Sequence, residues 1–166
     1  SPEGEARFDL ERSDRGGTLT IRSDQGQVRL DLVRSVGGGA LHVESADRTW
    51  RVAVGDDARE VPGWVPLHRG MEGAMKPVYS LEGEERLLGG AAWEGSASPR
   101  DLLDFYRGRL EGEGFELEMQ HGRRTAGEDE GSLWARHPDS GRGVFVLTRG
   151  GEGDTRAPVG YGGARR

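Results

Sequence analysis

Four histidines and a scatter of paired acids are the residues of this chain equipped to do chemistry. His42, His68, His121 and His137 each stand alone. None lies at metal-ligand spacing from another His or acid on a shared element, and no H-E-x-x-H occurs. Each reads as a structural histidine, His42 on a strand, His68 in the stretch Val61 to Met71, His121 at a strand end and His137 before a turn. The acid groups Asp56-Asp57, Glu84-Glu85 and Glu128-Asp129-Glu130 sit in polar, Gly-flanked stretches. A general acid needs a carboxyl desolvated by apolar neighbours, which these lack. The last group also lacks the alternating ligand spacing of a calcium loop. No nucleophile elbow, Walker loop or dinucleotide fingerprint is present. Val36-Gly-Gly-Gly-Ala40 is rich in Gly, but it leads into a strand and offers neither a helix N-terminus nor a Lys for phosphate. With no Cys, disulfides, thiolate metal sites and cysteine nucleophiles are excluded. The expectation is no catalytic, cofactor or metal site; an enzyme would have to work through His121 or His137 with a neighbouring acid.

Aromatic residues offer binding instead. Trp50, Trp64, Trp93 and Trp134 suit either core packing or a ligand groove. Trp64 stands out because Pro62 and Pro66 bracket it. Prolines lack the amide N–H a ladder needs and hold the preceding residue extended. The stretch Val61 to Met71 therefore reads as a strap pinned to a surface, with Trp64, Val65, Leu67, His68 and Met71 as candidate partner contacts.

Bulk composition narrows the partner. The chain has 166 residues and a net charge of -6, which argues against binding a polyanion through concentrated positive charge. Nucleic acid is not expected. Twenty-two of the 23 basic residues are Arg, and Asn is absent, a bias that a GC-rich genome explains. No apolar run approaches the roughly eighteen residues of a membrane helix. The chain opens on Ser1-Pro2 rather than Met, which leaves room for an upstream signal peptide, anchor or tag.

The elements that must carry these residues follow from periodicity. Residues 1–16 form a polar lead-in with room for a short edge strand. From 17 to 57, alternation of Leu19/Ile21, Val28/Leu30/Leu32, Leu41/Val43 and Trp50/Val52/Val54 with polar residues predicts a four-stranded antiparallel meander. So small a unit is short of core, so its apolar face is expected to pack on the second half or on another protein. The strap covers 58–72. Residues 73–150 read as a β-β-α-β-β domain, one helix on one antiparallel sheet, giving an α+β, mostly antiparallel class. Its strands fall at Met75–Leu81 and Leu87–Glu94, the latter so rich in Gly and Ala that either a helix or loop lies close over it or it is not a strand. Ser98 caps the helix, Pro99 takes its first position, and Leu102, Leu103, Tyr106 and Leu110 form its apolar stripe. The helix stops near Gly112 or Gly114, and Phe115 folds back. A half-buried strand, a polar loop from Arg123 to Gly131 and a closing hairpin follow. Residues 151–166 read as a flexible tail with at most a short strand near Val159.

Val65-Pro-Leu-His-Arg-Gly-Met71, followed by Ser98-Pro99, Phe105-Tyr-Arg107, Leu110 and Gly114-Phe115, resembles a group of uncharacterised bacterial envelope proteins. Those carry a membrane anchor, a short β-rich region, a Val-Pro-x-Tyr-Pro-Gly-Ala segment and a small α+β domain. Here His68, Arg69 and Met71 replace the usual Tyr, Pro and Ala. The resemblance implies extracytoplasmic, membrane-associated placement and no catalytic residue to carry over. The resulting expectation is a non-enzymatic accessory subunit docking on a membrane or envelope protein complex, with membrane association only through an anchor or the partner. Respiratory, photosynthetic and assembly machineries all fit. The alternative is a small-ligand binding protein with its pocket beside Trp64, Trp93 and Trp134.

Overall fold

Alternating apolar and polar residues place successive side chains on opposite faces of a strand, and here one sheet uses that rule across its whole width. A computed structural model describes residues 6–71, 75–125, 128–151 and 153–164. Eleven strands form one antiparallel sheet: β1 (Arg7–Ser13), β2 (Gly16–Ser23), β3 (Gly26–Arg34), β4 (Gly38–Glu44), β5 (Thr49–Gly55), β6 (Lys76–Glu82), β7 (Arg86–Gly95), β8 (Glu116–Thr125), β9 (Glu128–Arg136), β10 (Gly143–Gly151) and β11 (Asp154–Ala164). The spatial order is β1-β2-β3-β4-β5-β6-β7-β11-β10-β9-β8. The mostly antiparallel α+β class, the N-terminal meander and the single helix on the sheet are all present.

Three details differ from expectation. The lead-in is a full strand, because Phe8 and Leu10 pair with Ile21 and Leu19 on one face. The supposed loop from Arg123 to Gly131 belongs to β8 and β9, whose ladder runs out to Thr125 and Glu128; only 126 and 127 fall outside the described residues. The largest correction concerns the tail. Residues 154–164 form β11, inserted between β7 and β10 with ladders on both sides. Its Ala157, Val159 and Tyr161 are buried. Gly160, Gly162 and Gly163 dilute the alternation, since a glycine has no side chain to signal a face.

The helix α1 (Pro99–Gly112) begins as expected: the Ser98 Oγ accepts a hydrogen bond from the Asp101 N–H at 3.1 Å. It ends on Gly114 at φ 87°. The Phe115 N–H reaches back to the Leu110 carbonyl at 2.9 Å, satisfying a terminal acceptor and turning Phe115 into the core. Leu102, Tyr106 and Leu110 are fully buried against Leu133, Ala135, Val144, Val146, Ala157 and Val159. The helix thus covers β8 to β11 on one face of the sheet. Beside it the strap covers that same face, with Val65 in the core and Trp93 Nε1 donating to the Gly70 carbonyl at 2.9 Å.

A loop does lie close over β7, since the strap covers its Trp93 end, while two of its glycines lie under rings. A Cβ at Gly89 would strike the Tyr161 ring on the strap face, and one at Gly90 would strike the Tyr79 ring on the other. The two halves of the chain also meet differently from a face-to-face pair. Val52 and Val54 of β5 pair with Leu81 and Tyr79 of β6, so the meander extends the sheet edge to edge and its apolar face is not covered by the second half.

Candidate functional site

The strap is anchored before it reaches Trp64. Glu82, nearly buried at 8% exposure, accepts hydrogen bonds from Arg51 at 3.2 Å and from Arg59. Arg51 also donates to the Asp57 carbonyl at 2.9 Å, and the Arg59 N–H donates to Ser80 Oγ at 3.0 Å. A carboxylate shared by two guanidiniums therefore ties the strap's first residues to β5 and β6. Farther along, the Trp64 ring stacks on Phe115 at 6.4 Å, meets Tyr161 edge-on at 6.4 Å and lies under the Arg142 guanidinium at 5.2 Å.

These contacts decide the fate of the expected partner residues. Val65 is 2% exposed and belongs to the core, so it is unavailable as a surface contact. Trp64 is half-buried by its own neighbours. His68 accepts from the Gly70 N–H at 3.2 Å and packs edge-on against Phe105 at 5.1 Å. Leu67 remains accessible at 38%. Met71 closes the short 3-10 turn Arg69–Met71, and its side chain lies outside the described residues. Pro-bracketed apolar residues signal an anchored segment equally well whether the anchor is internal or external; here it is internal.

The three indoles expected to share a pocket do not. Trp93 is buried beneath the strap, with Trp64 on the same face. Trp134 pairs with Phe145 and Met119 and projects from the opposite face, its Nε1 donating to Glu118. Among the histidines, His137 accepts from the Ser140 N–H at 3.4 Å and packs edge-on against Phe115 at 5.2 Å. His42 and His121 are exposed on strands. Among the described residues no three His, Asp or Glu side chains converge.

What the arrangement leaves open is the face away from helix and strap. Residues paired across neighbouring strands share a face, so the registers define apolar rows. One runs Leu10, Leu19, Leu30, Val43 and Trp50. The next runs Leu32, Leu41, Val52, Leu81 and Leu88. A third passes from Val54 and Tyr79 over Gly90 and Gly160 to Phe145, Trp134 and Met119. Among the described residues no element lies over these rows. Phe8 is 66% exposed, Leu10 56% and Leu88 48%. Contiguous apolar surface on this scale marks an interaction site.

Two features shape the face. In its C-terminal half, Tyr79, Leu88, Trp134 and Phe145 wall an open hollow of about 700 Å³ floored by Gly143, Gly160 and Gly162. The Trp134 ring lies against Gly143, where a Cβ would collide with it. Farther along the same strands, His121, Arg149 and Arg156 border a second hollow of about 620 Å³. There Arg149 pairs with Glu128 and Glu130 at 3.1 and 3.2 Å, and Arg156 with Glu94 at 3.1 Å. These pairs neutralise much of its charge. Sequence reasoning missed the first hollow. The signal that could have found it is Val144-Phe145-Val146-Leu147, four apolar residues in a row, which marks a strand apolar on both faces.

Against known proteins, the chain matches no family model, no curated sequence and no solved structure.

Proposed function

We propose that this protein is a non-enzymatic interaction module, an accessory subunit that docks on a protein of a membrane or envelope complex through the uncovered face of its sheet. The observation supporting this reading is the run of apolar rows from Leu10 to Met119 with no element over them among the described residues. Burying such a face is worth roughly 25 cal/mol per Å² of apolar surface removed from water, a driving force that the folded monomer leaves unused. The docking surface is the hollow around Tyr79, Leu88, Trp134 and Phe145 rather than the strap, whose Val61, Trp64 and Val65 pack into or against the core. The extracytoplasmic, membrane-associated placement is supported by the resemblance of the strap and helix segments alone. Aromatic side chains in a hollow are the composition in which interface energy concentrates.

A gentle-detergent pull-down from native membranes tests this. The wild type is expected to bring down a membrane protein, and Leu88→Glu to release it while keeping the circular dichroism of the parent. A chain that elutes alone from the soluble fraction would overturn the reading. The same hollow supports one second reading, a binder of a small apolar ligand. That reading requires an environment-sensitive apolar fluorophore to bind saturably at one site and to be displaced by Trp134→Glu.

A further inference from the structure

Building on the docking reading, we infer that Gly160 is the seat of a single aromatic side chain of the protein partner, laid against bare strand backbone within the hollow.

Glycine weakens the interior of a strand. Where it stands there, either the fold needs the space for itself or another molecule approaches the backbone closely. The glycines around the hollow separate into these two kinds. A Cβ at Gly90 would strike the Tyr79 ring at 2.4 Å, one at Gly143 the Trp134 ring at 2.5 Å, and one at Gly162 the Leu88 side chain at 2.4 Å. The protein's own packing requires these three. Gly160 is different. A Cβ there meets nothing closer than 3.8 Å, an ordinary van der Waals contact, and its φ is not positive. Neither backbone conformation nor internal packing calls for glycine at this position. Its ladder neighbours are Gly90 and Phe145, and Tyr79, Leu88, Trp134 and Phe145 line the hollow that it floors.

Those walls select the occupant. Three of the four are rings, and a ring set among rings gains edge-to-face and offset-stacked contacts that an aliphatic side chain lacks. The Trp134 wall is held in place, because its Nε1 donates to Glu118. The seat therefore needs little ordering when it is filled. Charge favours neither an anion nor a cation. The rim carries Arg86 and Arg136 beside Glu118, Glu116 faces Arg136 across the ladder, and Glu85 precedes Arg86. The hollow is open on its outward side, whereas a free small ligand needs most of its surface enclosed. A side chain is held there by the rest of its own protein. An aromatic anchor in an apolar seat with a polar rim is the arrangement in which interface energy concentrates.

The test has two arms, both on the full chain. In the first, amide-resolved NMR spectra are recorded with N-acetyl-tryptophan amide and, separately, N-acetyl-leucine amide at millimolar concentration. The tryptophan amide is expected to shift the Trp134 indole N–H and the Gly160 amide saturably, and the leucine amide to shift them several-fold less. Gly160→Val should abolish the Trp134 response. In the second arm, Gly160→Val should melt at or above the wild-type temperature, since valine suits a strand and its Cβ has room. It should nevertheless lose the membrane protein that the wild type brings down. Gly122→Val, at a β8 glycine outside the hollow whose Cβ also has room, should keep that protein. No response to the tryptophan amide overturns the inference, as does a leucine amide that binds equally well or a response that survives Gly160→Val. So does a Gly160→Val chain that melts well below wild type, because the fold would then need the glycine itself. A shift of the same resonances by phosphatidylcholine vesicles overturns it too, the occupant then being lipid. If Leu88→Glu releases the partner and Gly160→Val retains it, the docking reading stands and the seat falls. If the titration succeeds and no membrane protein is brought down, the seat stands and the docking reading falls.

Discussion

Replacing Glu82 by Gln removes one negative charge without changing the shape of the side chain, at the point where the strap joins the sheet. Two guanidiniums converge on this carboxylate: Arg51, 31% exposed, and Arg59, 48% exposed. A hydrogen bond to a charged group contributes about 1.5–3 kcal/mol. Breaking a fully buried pair costs about 3–5 kcal/mol. Because both arginines can rehydrate where they are exposed, the expected loss lies below that range, at about 2–3 kcal/mol. For a domain of this size each kcal/mol shifts Tm by about 2–4 °C, so Glu82→Gln should lower Tm by roughly 4–12 °C. Differential scanning calorimetry measures that shift. Hydrogen exchange adds a local readout: amides from Asp57 to Val65 should lose protection before those of α1, because the strap's first residues hang on this cluster. A Tm within about 1 °C of wild type would refute the reasoning. It would mean that Arg59 N–H to Ser80 and the Trp64 packing hold the strap without the charge cluster.

Further outcomes follow from the same structure. Ser98→Ala deletes the acceptor of the Asp101 N–H and should cost about 1 kcal/mol, read as a lower urea midpoint with an unchanged slope. Ending the chain at Gly153 removes β11 and both of its ladders. It should abolish cooperative unfolding, whereas loss of a flexible tail would leave Tm unmoved. Burial holds the Tyr106 phenol above its ordinary range, and Tyr161 shifts the same way for the same main cause. The folded state thus keeps protons that the unfolded chain releases above about pH 10. Stability should be intact below that pH and fall as pH rises beyond it; urea midpoints measured across that range should decline less steeply for Tyr106→Phe. Gly143→Val places a side chain where the Trp134 ring lies and should shift Trp134 fluorescence, with a stability loss of about 1–3 kcal/mol.

Much of the fold was legible because its signals are local. Val28, Leu30 and Leu32 alternate with Arg29 and Asp31 within one strand, and a strand's faces need no distant information. Ser98, Pro99 and Gly114 announce the ends of α1 through hydrogen bonds within a few residues. The tail was not legible. In β11 the apolar Ala157, Val159 and Tyr161 are interleaved with Pro158, Gly160 and Gly162, so the polar half of the alternation is missing and the composition imitates a disordered segment. The expected site was half legible: the prolines around Trp64 marked an anchored segment but carried no sign of what it was anchored to.

By itself the sequence determined the strands of the meander, which side of each is apolar, the helix with both its caps, and the strap as a pinned segment. The strap's expected extended course is replaced by a turn from Pro62 to Val65 and the 3-10 turn Arg69–Met71. Tertiary structure alone decided that both halves share one sheet, that the last strand enters between β7 and β10, and that helix and strap crowd onto one face. The reason is physical. Face alternation and capping are set by neighbours along the chain, whereas ladder pairing and layer order are set by hydrogen bonds and apolar contacts between residues far apart in sequence. That second level turned Trp64 from a surface contact into a core anchor and left the rows from Leu10 to Met119 as the surface with a use still to be filled.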